Sequence, residues 1–297
     1  MQIIIKEYEK SDQEQLKELI DLSFEEEGLL NILKKFRFKF AYSAFSEDKL
    51  VSVVFGWVSS LHPYCTYFKV LCNSSYVRDN VIEKLLNKVE SLETIDFPLQ
   101  TSIWETSINL KKIYEKSEFK EIRRTYMPTL QVSDFKEGAF RFSEKDYILK
   151  TLAEVSLNNE LVEKLVLLVK RNYEETHKVN PVVTAGLEEW RILVFSDDII
   201  AKGSYVFLNP DENDILAYSF LHESDDDNSY ELGWCGSSSS EYQGIIPNLT
   251  LQHIKYADNH NRKAIIGEFD TTDSSAMEVL KTFPFAPSPT WITYQKK

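Results

Sequence analysis

Three cysteines, Cys65, Cys72 and Cys235, are all that the 297 residues contain. The set is odd and scattered, so it fits neither a disulfide framework nor a zinc ribbon. Buried free thiols are expected, and no metal. Positive charge is also short, with 34 Lys and Arg against 47 Asp and Glu and a net charge of −13. Sequence-independent binding of nucleic acid needs a basic surface, so no nucleic-acid partner is expected. No apolar run approaches the ~20 residues of a membrane helix. The start, Met1-Gln2-Ile3-Ile4-Ile5-Lys6, reads as a first strand and not as a basic segment leading into a long apolar one. A cytoplasmic chain without membrane contact is expected.

What is present suits two packed cores: 43% hydrophobic residues and 13% aromatics, in a chain longer than single cores usually grow. Phe45-Ser46-Glu47-Asp48 and Phe195-Ser196-Asp197-Asp198 lie 150 residues apart, each between a run of β-formers and a second apolar run. They suggest a duplicated unit with a hairpin at each site. The charge is uneven, with 21 basic and 24 acidic residues up to position 146 and 13 against 23 after it. An acidic second half would draw a cationic amine, although a solvated surface gives the same count. The run Glu223 to Asn228 lacks the Gly and distal Glu of a calcium loop and reads as a solvated turn.

Along the first copy, the pattern predicts a strand at Ile3 to Tyr8, a helix capped by Ser11, and a hairpin of Phe40 to Phe45 with Leu50 to Val58. A strand at Tyr67 to Cys72, a helix from Arg78 to Leu92, a strand at Leu99 to Trp104, a helix at Leu110 to Lys116 and a strand at Thr125 to Val132 follow. The second copy repeats the order: a helix from Asn158 to Thr176, a hairpin through Asp197-Asp198, a strand at Tyr230 to Cys235 and a helix from Pro247 to Asn259. A strand at Ala264 to Phe269, a helix at Ser274 to Lys281 and a strand at Trp291 to Tyr294 complete it. The expected fold is α/β (α+β), two tandem domains at 1–135 and 147–297 joined by a polar linker at 136–146, each a mixed, mostly antiparallel sheet flanked by helices.

This succession resembles the GNAT superfamily of N-acetyltransferases, in its tandem-domain type. That family carries an Arg/Gln-x-x-Gly-x-Gly/Ala motif between its fourth strand and the next helix, where backbone N–H groups at a helix N-terminus bind the coenzyme pyrophosphate. Arg78 and Gln243 fall on the leading position of the two copies. Leu86 and Leu251 each follow eight residues later, and Phe119 and Phe285 after 41 and 42. In the first copy Val81 and Glu83 replace the glycines, and Asp79 adds repulsion, so this copy looks degenerate. In the second, Gln243 and Gly244 survive, while Ile246 and Asn248 stand at the glycine positions and Pro247 suits a first helical turn.

The resemblance implies acetyl-CoA as co-substrate and a small-molecule amine as acceptor. Coenzyme binding falls on the end of the fourth strand, Cys235, Gly236 and Ser237, and on the loop Gln243, Gly244, Ile245, Ile246, Pro247 and Asn248. Tyr114 occupies the position of the acid that protonates the leaving thiolate, with core packing as its alternative; in the second copy Leu280 stands there. Glu231 is the expected base, the alternative being an outward strand carboxylate. Tyr173 and His177 would shape the acceptor pocket, although a His at a helix end can simply satisfy its last carbonyls. Asp270 could bind a cationic substrate or form a turn. Two further readings compete: a non-catalytic module that binds a ligand or partner, and a tRNA-dependent aminoacyl transferase, which the acidic balance disfavours.

Overall fold

The computed structural model describes residues 2–23, 38–93, 95, 98–135 and 147–297. The linker expected at 136–146 lies outside the described residues. In chain order the first half runs β1 (Ile3–Glu7), α1 (Gln13–Ser23), β2 (Phe40–Ser46), β3 (Lys49–Trp57), β4 (Thr66–Cys72), α2 (Val81–Glu90), β5 (Leu99–Trp104), α3 (Ile108–Lys116), β6 (Lys120–Tyr126) and β7 (Thr129–Gln131). The second half runs β8 (Ile148–Thr151), α4 (Asn159–Thr176), α5 (Leu187–Val194), β9 (Tyr205–Leu208), β10 (Ile215–Glu223), β11 (Ser229–Ser237), α6 (Ile246–Asn259), β12 (Ala264–Ile266), β13 (Phe269–Asp270), α7 (Ser274–Thr282) and β14 (Thr290–Lys296).

Two compact units form, and they interleave along the chain. Unit 1 comprises Met1–Ile122, Val179–Val183 and Ile292–Lys297; unit 2 comprises Arg123–Lys178 and Thr184–Trp291. A sequence reading places one boundary near 136–146, whereas the last strand of the chain folds with unit 1 and β7 with unit 2.

In unit 1 the strands run β1-β2-β3-β4-β5-β14. β1 to β4 are antiparallel neighbours, and β5 joins β4 in parallel at Thr66↔Leu99 and Tyr67↔Gln100. β14 is tied in by Ser102 to Thr293 at 2.9 Å, Gln295 to Gln100 at 3.1 Å and Lys296 to Glu90 at 2.8 Å. α2 buries Val81, Ile82, Leu85, Leu86 and Val89, one face at helical spacing. It starts later than the expected Arg78, because a 3₁₀ turn occupies Ser74–Asp79 and Asn80 turns left-handed at φ 55°. Ser11 is not the cap of the first helical segment either: Glu9 and Asp12 form a capping box there.

In unit 2 the order is β7-β12-β11-β10-β9-β8. β11 is antiparallel to β10 and parallel to β12, and β12 is antiparallel to β7. Separately, β13 pairs with the end of β6, Phe269 with Tyr126 and Asp270 with Thr125. The core gathers Leu221, Tyr230, Cys235, Ile246, Leu249, Ile254 and Ile265. His253 of α6 lies wholly inside it, its ring nitrogens 2.7 Å from Gly203 O and 2.9 Å from Ser219 Oγ. Burial depresses its pKa to about 4, so it is a neutral core residue.

The second expected hairpin is a correction. Phe195 ends helix α5, and Ser196 to Asp198 is a turn after a helix, not a link between strands. The hairpin of the second copy is β9–β10. Its turn residue Glu212 has φ 56°, as Glu47 of the β2–β3 turn has φ 57°. These two stand 165 residues apart, the interval that also separates Arg78 from Gln243 and Leu86 from Leu251. The duplication is real in these elements; the Phe-Ser-acid-acid repeat is not part of it.

Candidate functional site in unit 2

The fourth strands of the two units differ where chemistry would be expected. β4 pairs with β3 in unbroken register from Trp57↔Tyr67 to Ser52↔Cys72. In β11, Ser219 faces Cys235 but Leu221 faces Leu232, so Phe220 stands opposite both Gly233 and Trp234. This is a β-bulge, which bends a strand and re-aims its backbone groups. Pairing of β11 with β12 stops at Glu231↔Ile266, just before the bulge. From Leu232 to Ser237 the strand therefore has no ladder partner on the β12 side among the described residues.

Charged and aromatic groups collect around that opening. Arg123 Nη1 lies 3.0 Å from Asp270 Oδ2, and Thr125 Oγ1 donates to Asp270 Oδ1 at 2.5 Å. Glu268 is exposed in part, yet surrounding protein pushes its carboxyl pKa up; repulsion from Asp270 and Glu231 adds to this and Arg123 opposes it. Tyr173 is pushed up to about 12, chiefly by burial, and it feels Arg123, Asp270 and Glu268. Its ring is 4.9 Å from Trp234 and 5.4 Å from Trp190. Trp190 is wholly buried and its Nε1 has no hydrogen-bond partner among the described residues.

The structure brings Tyr173, Glu231 and Asp270 into one neighbourhood, together with Arg123, Trp190, Trp234 and Glu268. Sequence offers a signal for Trp234 and Glu268, on or near strand ends; Trp190 lies within helix α5 and Arg123 belongs to the other half of the chain. Glu231 faces solvent and accepts from Ser224 Oγ at 3.0 Å. His177 follows α4, stacked on Tyr173 with centroids 4.0 Å apart, its Nδ1 2.9 Å from Tyr173 O. That is the end-of-helix role.

Cys235 sits in the core, its thiol pKa raised by burial and then by Asp273. Gly236 needs to be glycine: a Cβ there would meet Asn172 and the Tyr218 hydroxyl. Asn172 donates to Ser237 O at 3.2 Å, and Arg171 donates to Ser238 O at 2.9 Å, fixing the strand end. The loop beyond forms a 3₁₀ turn, Ser240–Ile245, leading into α6. The Tyr242 and Ile246 N–H groups are spent on Ser239 O and Gln243 O, and Pro247 has none. None of these described residues is left-handed, so the loop lacks the alternating backbone of an anion nest. Among the described residues, nothing lies within 4 Å of where a Cβ on Gly244 would stand, and the buried Asn248 Oδ1 has no partner. The loop therefore does not present the N–H cradle that the resemblance implies for a pyrophosphate.

Tyr114 is only 1% exposed in the core of unit 1, packed against Phe68, Phe119 and Tyr294 at 5.4 to 6.0 Å between rings. In unit 2, Leu280 and Phe285 pack against the core.

The fold is that of the GCN5-related N-acetyltransferases, in the tandem form with two such domains in one chain. No family model and no curated protein matches the sequence. Among solved structures, a GCN5-related N-acetyltransferase from Sphaerobacter thermophilus is similar at 11% identity and TM-score 0.63, covering 99% of this chain and 95% of that one. A tandem GNAT protein from the clavulanic acid biosynthesis pathway aligns at 10% identity and TM-score 0.59, over 99% and 98%. A GNAT-family acetyltransferase from Colwellia psychrerythraea aligns at 14% and 0.56, over 99% and 100%.

Proposed function

We propose that this chain is an acetyl-CoA-dependent N-acetyltransferase, that unit 2 carries the reaction, and that the acceptor is a small cationic amine met in the cytoplasm. The observation that carries the reading is the bulge at Gly233 and Trp234, where β11 leaves β12 beside three carboxylates. Among the described residues no helix is long and apolar enough to cross a membrane.

The coenzyme would supply an activated acetyl thioester. Free amides of β11 beyond Glu231 would orient its carbonyl and stabilise the oxyanion that forms on attack. Glu231, Glu268 and Asp270 would hold the ammonium form of the acceptor, with Arg123 limiting their mutual repulsion. The rings of Tyr173 and Trp234 would face the cation and shed water from it. Most of the acceleration would come from alignment, since no tyrosine stands at the thiolate-acid position of unit 2.

Thermal denaturation with saturating acetyl-CoA, followed by thiol release with a panel of primary amines, tests this. A raised melting temperature and amine-dependent release support the reading; no shift and no release with any amine would defeat it. A second reading, ligand binding without turnover, is favoured by Leu280 standing at the thiolate-acid position of unit 2. It is chosen if acetyl-CoA binds and no amine turns over.

A further inference from the structure

Unit 2 holds a second polar constellation, built on the Ser196-Asp197-Asp198 turn and His222 of β10. Ser196 Oγ donates to Asp198 Oδ1 at 2.5 Å, and His222 Nδ1 lies 2.8 Å from Asp198 Oδ2. The turn after α5 is pinned to β10 by the backbone bridge Ile199↔His222 and by Glu223 N donating to Asp198 O at 3.0 Å. Asp198 is therefore a fixed acceptor. Both hydrogen bonds favour its ionised form and lower its pKa. A carboxylate on Nδ1 selects the tautomer that carries its proton there, leaving the Nε2 lone pair open.

The direction of that lone pair is informative. His222 pairs across the sheet with Glu231, and its Nε2 end lies over Gly233, where any Cβ would collide with the ring. Glycine at 233 thus admits an imidazole to the bulge. Nε2 makes no hydrogen bond to a described residue, and the side chain is 22% exposed. Charged and titratable groups around the ring are Asp198 on the turn, Glu231 on β11, Glu223 beside it on β10, and His253 of α6, whose charge opposes its own.

We propose that His222 is the general base of unit 2, with Asp198 as its positioning residue and Ser196 behind it. This rests on the acetyltransferase reading above. Neutral His222 accepts a proton from the bound ammonium at Nε2, giving a free amine and an imidazolium held by Asp198. The amine nitrogen forms a bond to the thioester carbon, the carbon–sulfur bond breaks, and the surplus proton on nitrogen passes to the departing thiolate. His222 then returns its proton to solvent through its exposed edge. One acetyl group moves and one proton is released overall.

The test is the pH dependence of thiol release from acetyl-CoA, with the best amine of the panel, in wild type, His222→Gln and Asp198→Asn. His222→Gln should lower kcat by roughly 100-fold and abolish the acid limb of the kcat/KM profile. Asp198→Asn should lower kcat at unchanged KM and alter the shape of the pH profile, because the imidazole loses the partner that orients it; a merely structural link would leave both in place. Wild-type release that His222→Gln retains, with the same profile, overturns the base assignment and leaves the acetyltransferase reading standing. No release from wild type overturns both. Circular dichroism of each variant separates loss of chemistry from loss of fold, and Asp198→Asn carries the test should His222→Gln unfold.

Discussion

Arg123 holds Asp270 in a 3.0 Å ion pair inside unit 2, so a residue from the first half of the sequence sets the electrostatics of a site built by the second. Glu268 reports on that pair. Its pKa is raised by desolvation and then by Asp270, and Arg123 pulls it down. Asp270→Asn should lower the Glu268 pKa and weaken the amine's KM, whereas Arg123→Gln should raise that pKa. Carbon-13 titration of the carboxyl groups checks both signs. Two variants that leave Glu268 unmoved would show that the three groups do not share a site.

Asp273 caps α7, accepting from Ser275 N at 2.8 Å and Ala276 N at 3.0 Å, yet burial raises its pKa. A carboxyl raised in the folded state stabilises while protonated, and that contribution fades as pH rises through its folded value. Asp273→Asn keeps the acceptor without the buried charge and should be at least as stable as wild type at pH 7. Asp273→Ala loses the cap and should cost about 1 kcal/mol. Urea denaturation of the pair measures the difference, and an alanine variant as stable as the asparagine one would contradict it.

His253 gives the opposite sign. Its folded pKa, about 4, lies below the usual 6.5. The unfolded chain therefore binds more protons between those values, and stability falls as pH drops through that window. The loss should be roughly 3 kcal/mol by the linkage of pKa to free energy. Chemical denaturation at pH 7.5 and pH 4.5 should show less pH sensitivity for His253→Gln. Equal slopes in both proteins would mean that the histidine is not buried neutral.

Tyr114 is predicted to act through packing. Removing its ring from among Phe68, Phe119 and Tyr294 should destabilise unit 1 by about 3–5 kcal/mol. A Tyr114→Ala variant with the wild-type unfolding midpoint would place the ring outside the core.

Much of the fold was readable because local periodicity carries it: α4 and α6 follow their apolar spacing, and β4, β5 and β11 their β-rich runs. The segment Trp190 to Phe195 was misleading for a physical reason. Trp-Arg-Ile-Leu-Val-Phe is short, apolar and rich in β-formers, whereas burial of Trp190 and Val194, four apart, marks one face of a helix. Strand exchange was not readable, since no local signal tells β14 to fold with unit 1 or β7 with unit 2. Of the groups gathered in unit 2, Glu231, Asp270 and Tyr173 are candidates by their position in the sequence. Arg123 and the Asp198–His222 pair are not, because separations of 147 and 24 residues are closed only by the sheet.

The most direct test of the central claim, that unit 2 receives the acetyl donor, is hydrogen–deuterium exchange with and without saturating acetyl-CoA. Protection should appear in Leu232 to Asn248, across the bulge, the strand end and the head of α6, with Cys72 to Glu83 unchanged; Gly244→Asp should remove it and Arg78→Ala should not. Protection confined to Cys72 to Glu83, or no protection anywhere, would contradict the account.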